Sequence, residues 1–237
     1  LSVISMHDPY REGSPARNVT SGLSTQVGVN AALLAAAGLP GSRAAMQEVY
    51  DPLRTIDETQ FDQSFSDLGD HWMVTGNYFK FTPSCWYTHA PLSALDTIAS
   101  EVRVDEVESI EVFTYHKASA LDHTDYKTPT SGKFSTPYVL ARRLRAEGTD
   151  LWLDDFDEPA LSDPVTQALA ERITLHRDDE YDDRFPNHRS ARVEVTHTDG
   201  TTFEAECTDA LGDHRNFPGN DALIEKFERL LESRLKS

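Results

Sequence analysis

Residues 191–207 read ARVEVTHTDGTTFEAEC, and apolar and polar residues alternate on both sides of Asp199-Gly200. Alternation with a period of two is typical of a strand that buries one face, and Asp-Gly is a favoured hairpin turn. The stretch therefore predicts an antiparallel hairpin. Upstream, residues 109–115 read SIEVFTY and alternate in the same way, which predicts a further strand.

Helical patterns precede, interrupt and follow these strands. An alanine-rich run at residues 22–37 ends at Gly38 and predicts a helix that packs closely within a helical layer. The order of elements is helices, then a mixed block over roughly residues 103–212, then a last helix, so we predict an α+β fold. Apolar spacing, first-turn prolines and capping residues predict further helices over residues 42–49, 57–68, 91–102, 135–146, 163–172 and from Asn220 onward.

The charge of the chain is strongly negative. Its 237 residues carry 22 Lys and Arg against 40 Asp and Glu, a net charge of −18. Such a surface repels nucleic acid and anionic membranes, so we expect neither as a partner. The acidic clusters fit either a solvated face or adaptation to high salt.

Signals for location are few. No apolar run approaches the roughly 18 residues that a membrane span needs, and no secretory signal is visible. Cys85 and Cys207 are far apart in the sequence and form no Cys-x-x-Cys pair. We therefore expect a reducing, cytoplasmic setting.

Motifs for common cofactors are absent from the sequence. It contains no phosphate-binding loop, no Gly-rich dinucleotide fingerprint after a strand and no Gly-x-Ser-x-Gly elbow. Cys85 and His89 could share a metal across one helical turn, but two ligands are too few for zinc. We expect no metal and no cofactor.

The stretch YFKFTPSCWYTH at residues 78–89 places Lys80 between two phenylalanines, with His89 at its end. Taken alone, Lys80 fits a surface lysine and His89 fits a capping or packing histidine. An ammonium near an imidazole also suits a substrate with carboxylates, because the cation binds the anion while the histidine moves a proton. Further cationic residues in loop-like positions are Lys133, His188-Arg189 and His214-Arg215.

Five stretches of the chain carry a resemblance to a known family. They are GVNAALLAAAGLPGS (28–42), YFKFTPSCWYTHAPLSALD (78–96), GKFSTPYVLARRL (132–144), VEVTHTDGTTFEAEC (193–207) and GDHRNFPGNDALIEKF (212–227). In this order they resemble the MmgE/PrpD family, which includes 2-methylcitrate dehydratase, cis-aconitate decarboxylase and iminodisuccinate epimerase. The resemblance implies a helical domain and an α+β lid domain with the active site between them, usually in a homodimer. It also implies cofactor-free chemistry on small di- or tricarboxylates.

The resemblance implies roles for particular residues. Lys80 falls on the family's lysine and His89 on its nearby histidine, so both are predicted catalytic residues, and Lys80 is also predicted to bind substrate. Lys133 falls at a position that is usually basic, and Gln26 stands where a basic residue is often found, so both are predicted substrate-binding residues. Gln26 can hydrogen-bond a carboxylate but supplies no charge. Cys85 is expected to pack rather than react.

Family members are longer, and the chain corresponds to their C-terminal half. The resemblance therefore predicts part of the helical domain at residues 1–75, an α+β lid domain at residues 76–212, and a C-terminal segment and helix at residues 213–237 that return to the helical side. It also predicts either a homodimer or association with a separate polypeptide that supplies the N-terminal half.

Two classes of function fit these predictions. The first is a 2-methylcitrate dehydratase-like lyase that removes a proton next to a carboxylate of a small polycarboxylate substrate. A decarboxylase or an epimerase of the same family would share that proton transfer. The second class is a non-catalytic partner, or a degenerate fragment, that keeps the fold without the chemistry.

Overall fold

The computed structural model describes residues 13–14, 16–42, 48, 63, 66–146 and 150–235. The chain divides into two compact units between Asn77 and Tyr78, and the described residues Gly13 and Ser14 belong to the second. The three predicted parts of the chain stay a prediction.

The first unit contains helix α1, which spans Ala16–Ala36, and a 3-10 turn at Met73–Gly76. The predicted helix at residues 22–37 is confirmed as α1, although it begins earlier. Its predicted close packing is wrong for the described side chains, because residues 22–36 are exposed, Leu33 at 64%. Alanine and leucine favour a helix by intrinsic propensity, which needs no packed neighbour. The helices predicted over residues 42–49 and 57–68 lie almost entirely outside the described residues.

The second unit combines a sheet with helices, and the predicted α+β fold class is confirmed. Its strands are β1 (Val107–Thr114), β2 (Ile173–Arg177), β3 (Ala191–His197) and β4 (Thr202–Cys207). Its α-helices are α2 (His89–Ile98), α3 (His116–Ser119), α4 (Pro129–Lys133), α5 (Thr136–Arg145), α6 (Glu158–Leu161), α7 (Pro164–Ala170), α8 (Asp179–Arg184) and α9 (Asn220–Leu235). Short 3-10 turns lie at Trp86–Thr88, Val104–Glu106 and Leu153–Phe156.

The predicted hairpin is confirmed as β3 and β4. The Gly200 amide donates to the His197 carbonyl at 2.8 Å, and the Thr201 amide donates to the Asp199 carboxylate at 2.9 Å. Gly200 has a φ of 85°, which an L side chain rarely adopts. The turn chemistry of Asp-Gly therefore fixes the register, which pairs Val193 with Ala205.

The sheet has the order β2-β1-β3-β4. The strand predicted at residues 109–115 is confirmed as the central strand β1, which runs antiparallel to β3 and parallel to β2. Val112 lies opposite Val193 on one side and Leu175 on the other. Sequence reasoning missed β2, because ITLHR is too short to show a period and directly follows a helix.

One face of the sheet carries the core. Helices α2 and α5 pack on this side, and α7 packs against α5. Leu95 of α2 is fully buried together with Ile110 and Val195 from the sheet. The prediction of helices near Pro91 and over residues 135–146 and 163–172 is confirmed by α2, α5 and α7, with small differences in their bounds.

A buried serine begins helix α5. The Ser135 hydroxyl accepts a hydrogen bond from the Tyr138 amide at 3.1 Å and donates to the His123 carbonyl at 2.6 Å. We expect Ser135→Ala to lower the free energy of unfolding by about 1–2 kcal/mol, because the helix loses its cap and a buried carbonyl loses its donor. Ser119→Ala is the control, since that hydroxyl is exposed and bonds only one carbonyl, of His116. Equal losses in urea unfolding would contradict the capping role.

The predicted C-terminal helix is confirmed as α9. Much of its apolar face is uncovered: Ile224, Phe227 and Leu231 are exposed, Phe227 at 60%. Even so, none of the described helices combines the length and the apolar character that crossing a membrane requires.

Candidate active site

Hydrogen bonds close the loop that leads into α2. The Lys80 ammonium donates to the Ser84 carbonyl at 3.0 Å. The Thr88 hydroxyl donates its single proton to the Cys85 carbonyl at 2.7 Å, so the Ser84 hydroxyl is the donor in its 2.7 Å bond with Thr88. Cys85 is buried, as expected for a packing residue, and its amide donates to the Lys133 carbonyl at 2.7 Å. These bonds fix the position at which His89 enters the helix.

His89 is the first residue of α2, and only 4% of it is exposed. Its Nδ1 lies 2.5 Å from Tyr78 Oη, and Oη also donates to the Leu211 carbonyl at 2.9 Å. A phenol has one proton and the carbonyl can only accept, so Nδ1 must donate to Tyr78. The proton of the neutral imidazole is therefore on Nδ1. The lone pair on Nε2 stays free, since no described residue hydrogen-bonds to this buried atom.

Burial lowers the pKa of His89 to about 3. The positive charges of Lys80 and Lys226 lower this pKa further. The backbone of Ser84 and Thr82 opposes the shift, although neither carbonyl is hydrogen-bonded to Nε2. His89 is therefore a neutral imidazole in the folded protein near pH 7, with one nitrogen able to accept a proton.

Stability should depend on pH through His89. Its folded pKa lies below the ordinary value of 6.5, so the unfolded chain takes up the proton first as the pH falls. We expect this group to cost roughly 1 kcal/mol of stability for each pH unit below about 6.5, and the effect is absent above that value. Urea unfolding from pH 7.5 to about 5 measures it. His89→Gln should flatten the slope, and identical slopes would contradict the assignment.

His89 lines a cleft of about 210 Å³ between two helices of the second unit. On α2, His89, Ser93 and Asp96 share one face, since they are separated by four, three and seven positions. On α9, Lys226 and Arg229 lie one turn apart on the opposite wall. The other lining residues are Phe81, Thr82, Leu92, Asp150, Trp152, Leu211, Pro218, Ala222 and Glu225.

The α9 wall is attached to the loop before α2. The Lys226 ammonium donates to the carbonyl of Lys80 and lies 5.8 Å from the centre of the Phe81 ring. The Arg229 guanidinium lies 4.1 Å from the centre of the Trp152 ring, a cation–π contact. Both cations are therefore held at the edge of the cleft.

A tight turn forms the third side of the site. The Phe79 amide donates to the Gly212 carbonyl at 2.9 Å, and the Gly212 amide donates to the Asn216 carbonyl at 3.0 Å. Gly212 has a φ of +96°, and an added Cβ would lie 2.0 Å from the Phe79 carbonyl oxygen. Only glycine allows the turn to approach Phe79 so closely. The turn brings Leu211 to the phenol of Tyr78.

The predicted site residues are only partly together. His89 lines the cleft, whereas Lys80 lies beside it and acts on His89 through its charge. The Lys133 ammonium is outside the cleft, 5.6 Å from the Phe156 ring centre, and burial lowers its pKa. Gln26 is exposed on α1, in the first unit.

The two His-Arg pairs lie near this site without lining the cleft. His188 Nδ1 is 3.0 Å from the Asp209 carboxylate, and the Arg189 guanidinium is 3.6 Å from the centre of the Trp86 ring. His214 contacts Asp213 at 3.1 Å. The partners of these side chains therefore lie outside the cleft lining as well.

Sequence reasoning missed three residues of the site. Tyr78 begins the stretch at residues 78–89, but nothing in that sequence indicates that its phenol is hydrogen-bonded to His89. Lys226 and Arg229 belong to a polar stripe at helical spacing, which could have been found beside the apolar stripe of the last helix. Among the described residues, no three His, Cys, Asp or Glu side chains converge to hold a metal. The expectation of cofactor-free chemistry stays a prediction.

Comparison with protein families matches a large part of the chain. The model of the MmgE/PrpD C-terminal domain matches residues 82–237, which is more than half of the chain. The matched part contains His89, Lys133 and α9, whereas Gln26 and Lys80 lie before it. No curated protein matches the chain.

Proposed function

Because the chain belongs to the MmgE/PrpD family, we propose that it takes part in cofactor-free proton transfer next to a carboxylate of a small di- or tricarboxylic acid. The reaction we favour is elimination of water, as in a 2-methylcitrate dehydratase-like lyase. Decarboxylation or epimerisation would use the same first proton transfer.

The observation that carries the proposal is the state of His89. Its imidazole is neutral, its Nδ1 proton is given to Tyr78, its buried Nε2 has no hydrogen-bond partner among the described residues, and the residue lines a cleft. A general base needs this combination of an unprotonated nitrogen and a fixed orientation. Nε2 would take the proton from the carbon next to the carboxylate. The C–H electron pair would become the new double bond as the hydroxyl group leaves the neighbouring carbon. The proton held on Nε2 would pass to that departing hydroxyl, so that water leaves and the neutral imidazole is restored.

The charges around the base support the same step. Removing a proton next to a carboxylate places negative charge on the substrate, and fixed cations stabilise that charge. Lys80 and Lys226 both act electrostatically on His89. An anionic substrate opposes their effect and raises the pKa of His89 from its low value in the free protein. The base would therefore become stronger when the substrate binds.

We further propose that another polypeptide covers α9. Ile224, Phe227, Leu231 and Leu235 are exposed along this helix, and exposed apolar faces of this kind mark interaction surfaces. The covering chain would be either a second copy or a polypeptide with the family's N-terminal half.

Native purification followed by an assay tests the function. The mass and subunit composition of the protein from its own source are measured, and the assembly is assayed with the tricarboxylates 2-methylcitrate and cis-aconitate and with the dicarboxylate malate. Turnover of any of them by an assembly that contains this chain would support the proposal. An intact assembly that turns over none of the three acids would contradict the lyase reaction and favour the non-catalytic partner, with which the uncharged Gln26 agrees.

A further inference from the structure

Two cations of α9 face the cleft without an acidic partner. Neither Lys226 nor Arg229 has a carboxylate within ion-pair distance among the described residues. Asp96, which lines the same cleft, pairs instead with Arg143 at 2.7 Å. Both α9 cations therefore line the cleft without an ion pair to a described carboxylate, and a small anionic ligand could bind them there.

Each cation is held so that it can bind an anion. The Lys226 ammonium uses one of its three protons on the Lys80 carbonyl, which leaves two for a ligand. The Arg229 guanidinium lies 4.1 Å from the Trp152 ring centre, and its N–H groups form no ion pair with a described carboxylate. A planar guanidinium held in this way suits a bidentate contact with a carboxylate.

We propose that Lys226 and Arg229 form a clamp for two carboxylates of one substrate. Lys226, which lies on the side of His89, takes the carboxylate next to the reacting carbon, and Arg229 takes the second. Residues at i and i+3 of a helix lie about 5–6 Å apart at Cβ, so carboxylates on neighbouring carbons fit this pair. The proposal rests on the proposed function and names the substrate class for the same site.

The other charges of the cleft restrict that class further. Asp96, Asp150 and Glu225 also line it, and burial together with the nearby Asp150 charge raises the pKa of Asp96. A third carboxylate would find no further cation among the described lining residues and would face these acids. The clamp therefore favours a succinate-type dicarboxylate over a tricarboxylate.

Binding of simple acids to the full chain, or to its native assembly, tests the clamp independently of turnover. The probes are succinate, tricarballylate and butyrate. Their affinities are measured by calorimetry or by the tryptophan fluorescence of the protein, to which Trp152 in the cleft contributes. We expect succinate to bind at least about 10-fold more tightly than butyrate, and more tightly than tricarballylate. Lys226→Gln and Arg229→Gln should each weaken succinate binding by roughly 10-fold or more. Lys117→Gln is the control, since that ammonium lies over the Phe185 ring, outside the cleft.

The outcomes separate the clamp from the reaction. Succinate affinity that is unchanged in both α9 variants, or no succinate binding by the folded protein, would overturn the clamp even if the assembly turns over its substrate. Tighter binding of tricarballylate than of succinate would overturn the dicarboxylate assignment. Clamp-dependent succinate binding without any turnover would support the clamp and count against the lyase reaction alone.

Discussion

Turnover by the complete assembly should fall by roughly 10²–10⁴-fold when His89 is replaced by glutamine. Glutamine is of similar size and can still donate a hydrogen bond to Tyr78, but it has no nitrogen that accepts a proton at neutral pH. The loss should appear in kcat more than in KM, because the imidazole acts in the proton transfer rather than in holding the carboxylates. Steady-state kinetics of the two proteins measures it.

Two further variants make this experiment specific. His176→Gln is the matched control, since His176 stacks on Phe113 at 4.9 Å on the other face of the sheet and lies outside the cleft. Tyr78→Phe removes the oxygen that accepts the Nδ1 proton, so it should cause a smaller loss and change the pH profile of kcat. A folded His89→Gln variant with kcat within twofold of the wild type would exclude His89 as the base.

The second large effect concerns Gly212. Gly212→Ala should lower the free energy of unfolding by roughly 3 kcal/mol, of which about 1–2 kcal/mol reflects the positive φ and the rest the contact with Phe79. The new Cβ would lie 2.0 Å from the Phe79 carbonyl oxygen, and this neighbour is backbone that cannot rotate away. The turn would have to shift, which moves Leu211 away from Tyr78. Urea unfolding measures the loss.

Gly219 supplies a control within the same segment. Its φ is +98°, close to the +96° of Gly212, but an added Cβ would have no heavy atom within 4 Å. Gly219→Ala should therefore cost only about 1–2 kcal/mol, the conformational part alone. If the two variants were equally stable, the close approach of the turn to Phe79 would have no energetic importance.

Local patterns predicted most of the second unit. The hairpin, the central strand and the helices α2, α5, α7 and α9 follow from periodicity, capping and turn residues, which act over short stretches of sequence. Strand β2 was missed because its pairing with β1 depends on a neighbour that is distant in the sequence. The exposure of α1 was missed for a related reason: composition predicts a helix but not what surrounds it.

In the candidate site, too, local patterns predict some residues, whereas contacts between distant parts of the chain determine the others. Lys80 and His89 were predicted as site residues because they share one stretch with a recognisable pattern. The bond from Lys226 to the Lys80 carbonyl joins residues that are 146 positions apart, and no local pattern predicts such a contact. Lys133 resembled a site residue by position in the sequence, yet its ammonium turns to Phe156. Side-chain direction is set by packing, which the sequence alone does not display.

The parallel pairing of β1 with β2 has a consequence for the order of folding. The hairpin β3–β4 needs only a short turn, whereas β2 reaches β1 after the chain from Tyr115 to Arg172 has crossed the sheet. Closing that long segment costs entropy before any strand contact is gained. Pairing β1 with β3 closes the still longer segment from Tyr115 to Ser190. The hairpin should therefore form before either pairing of β1, and hydrogen exchange during refolding should protect the β3 and β4 amides that bond each other before those of β2.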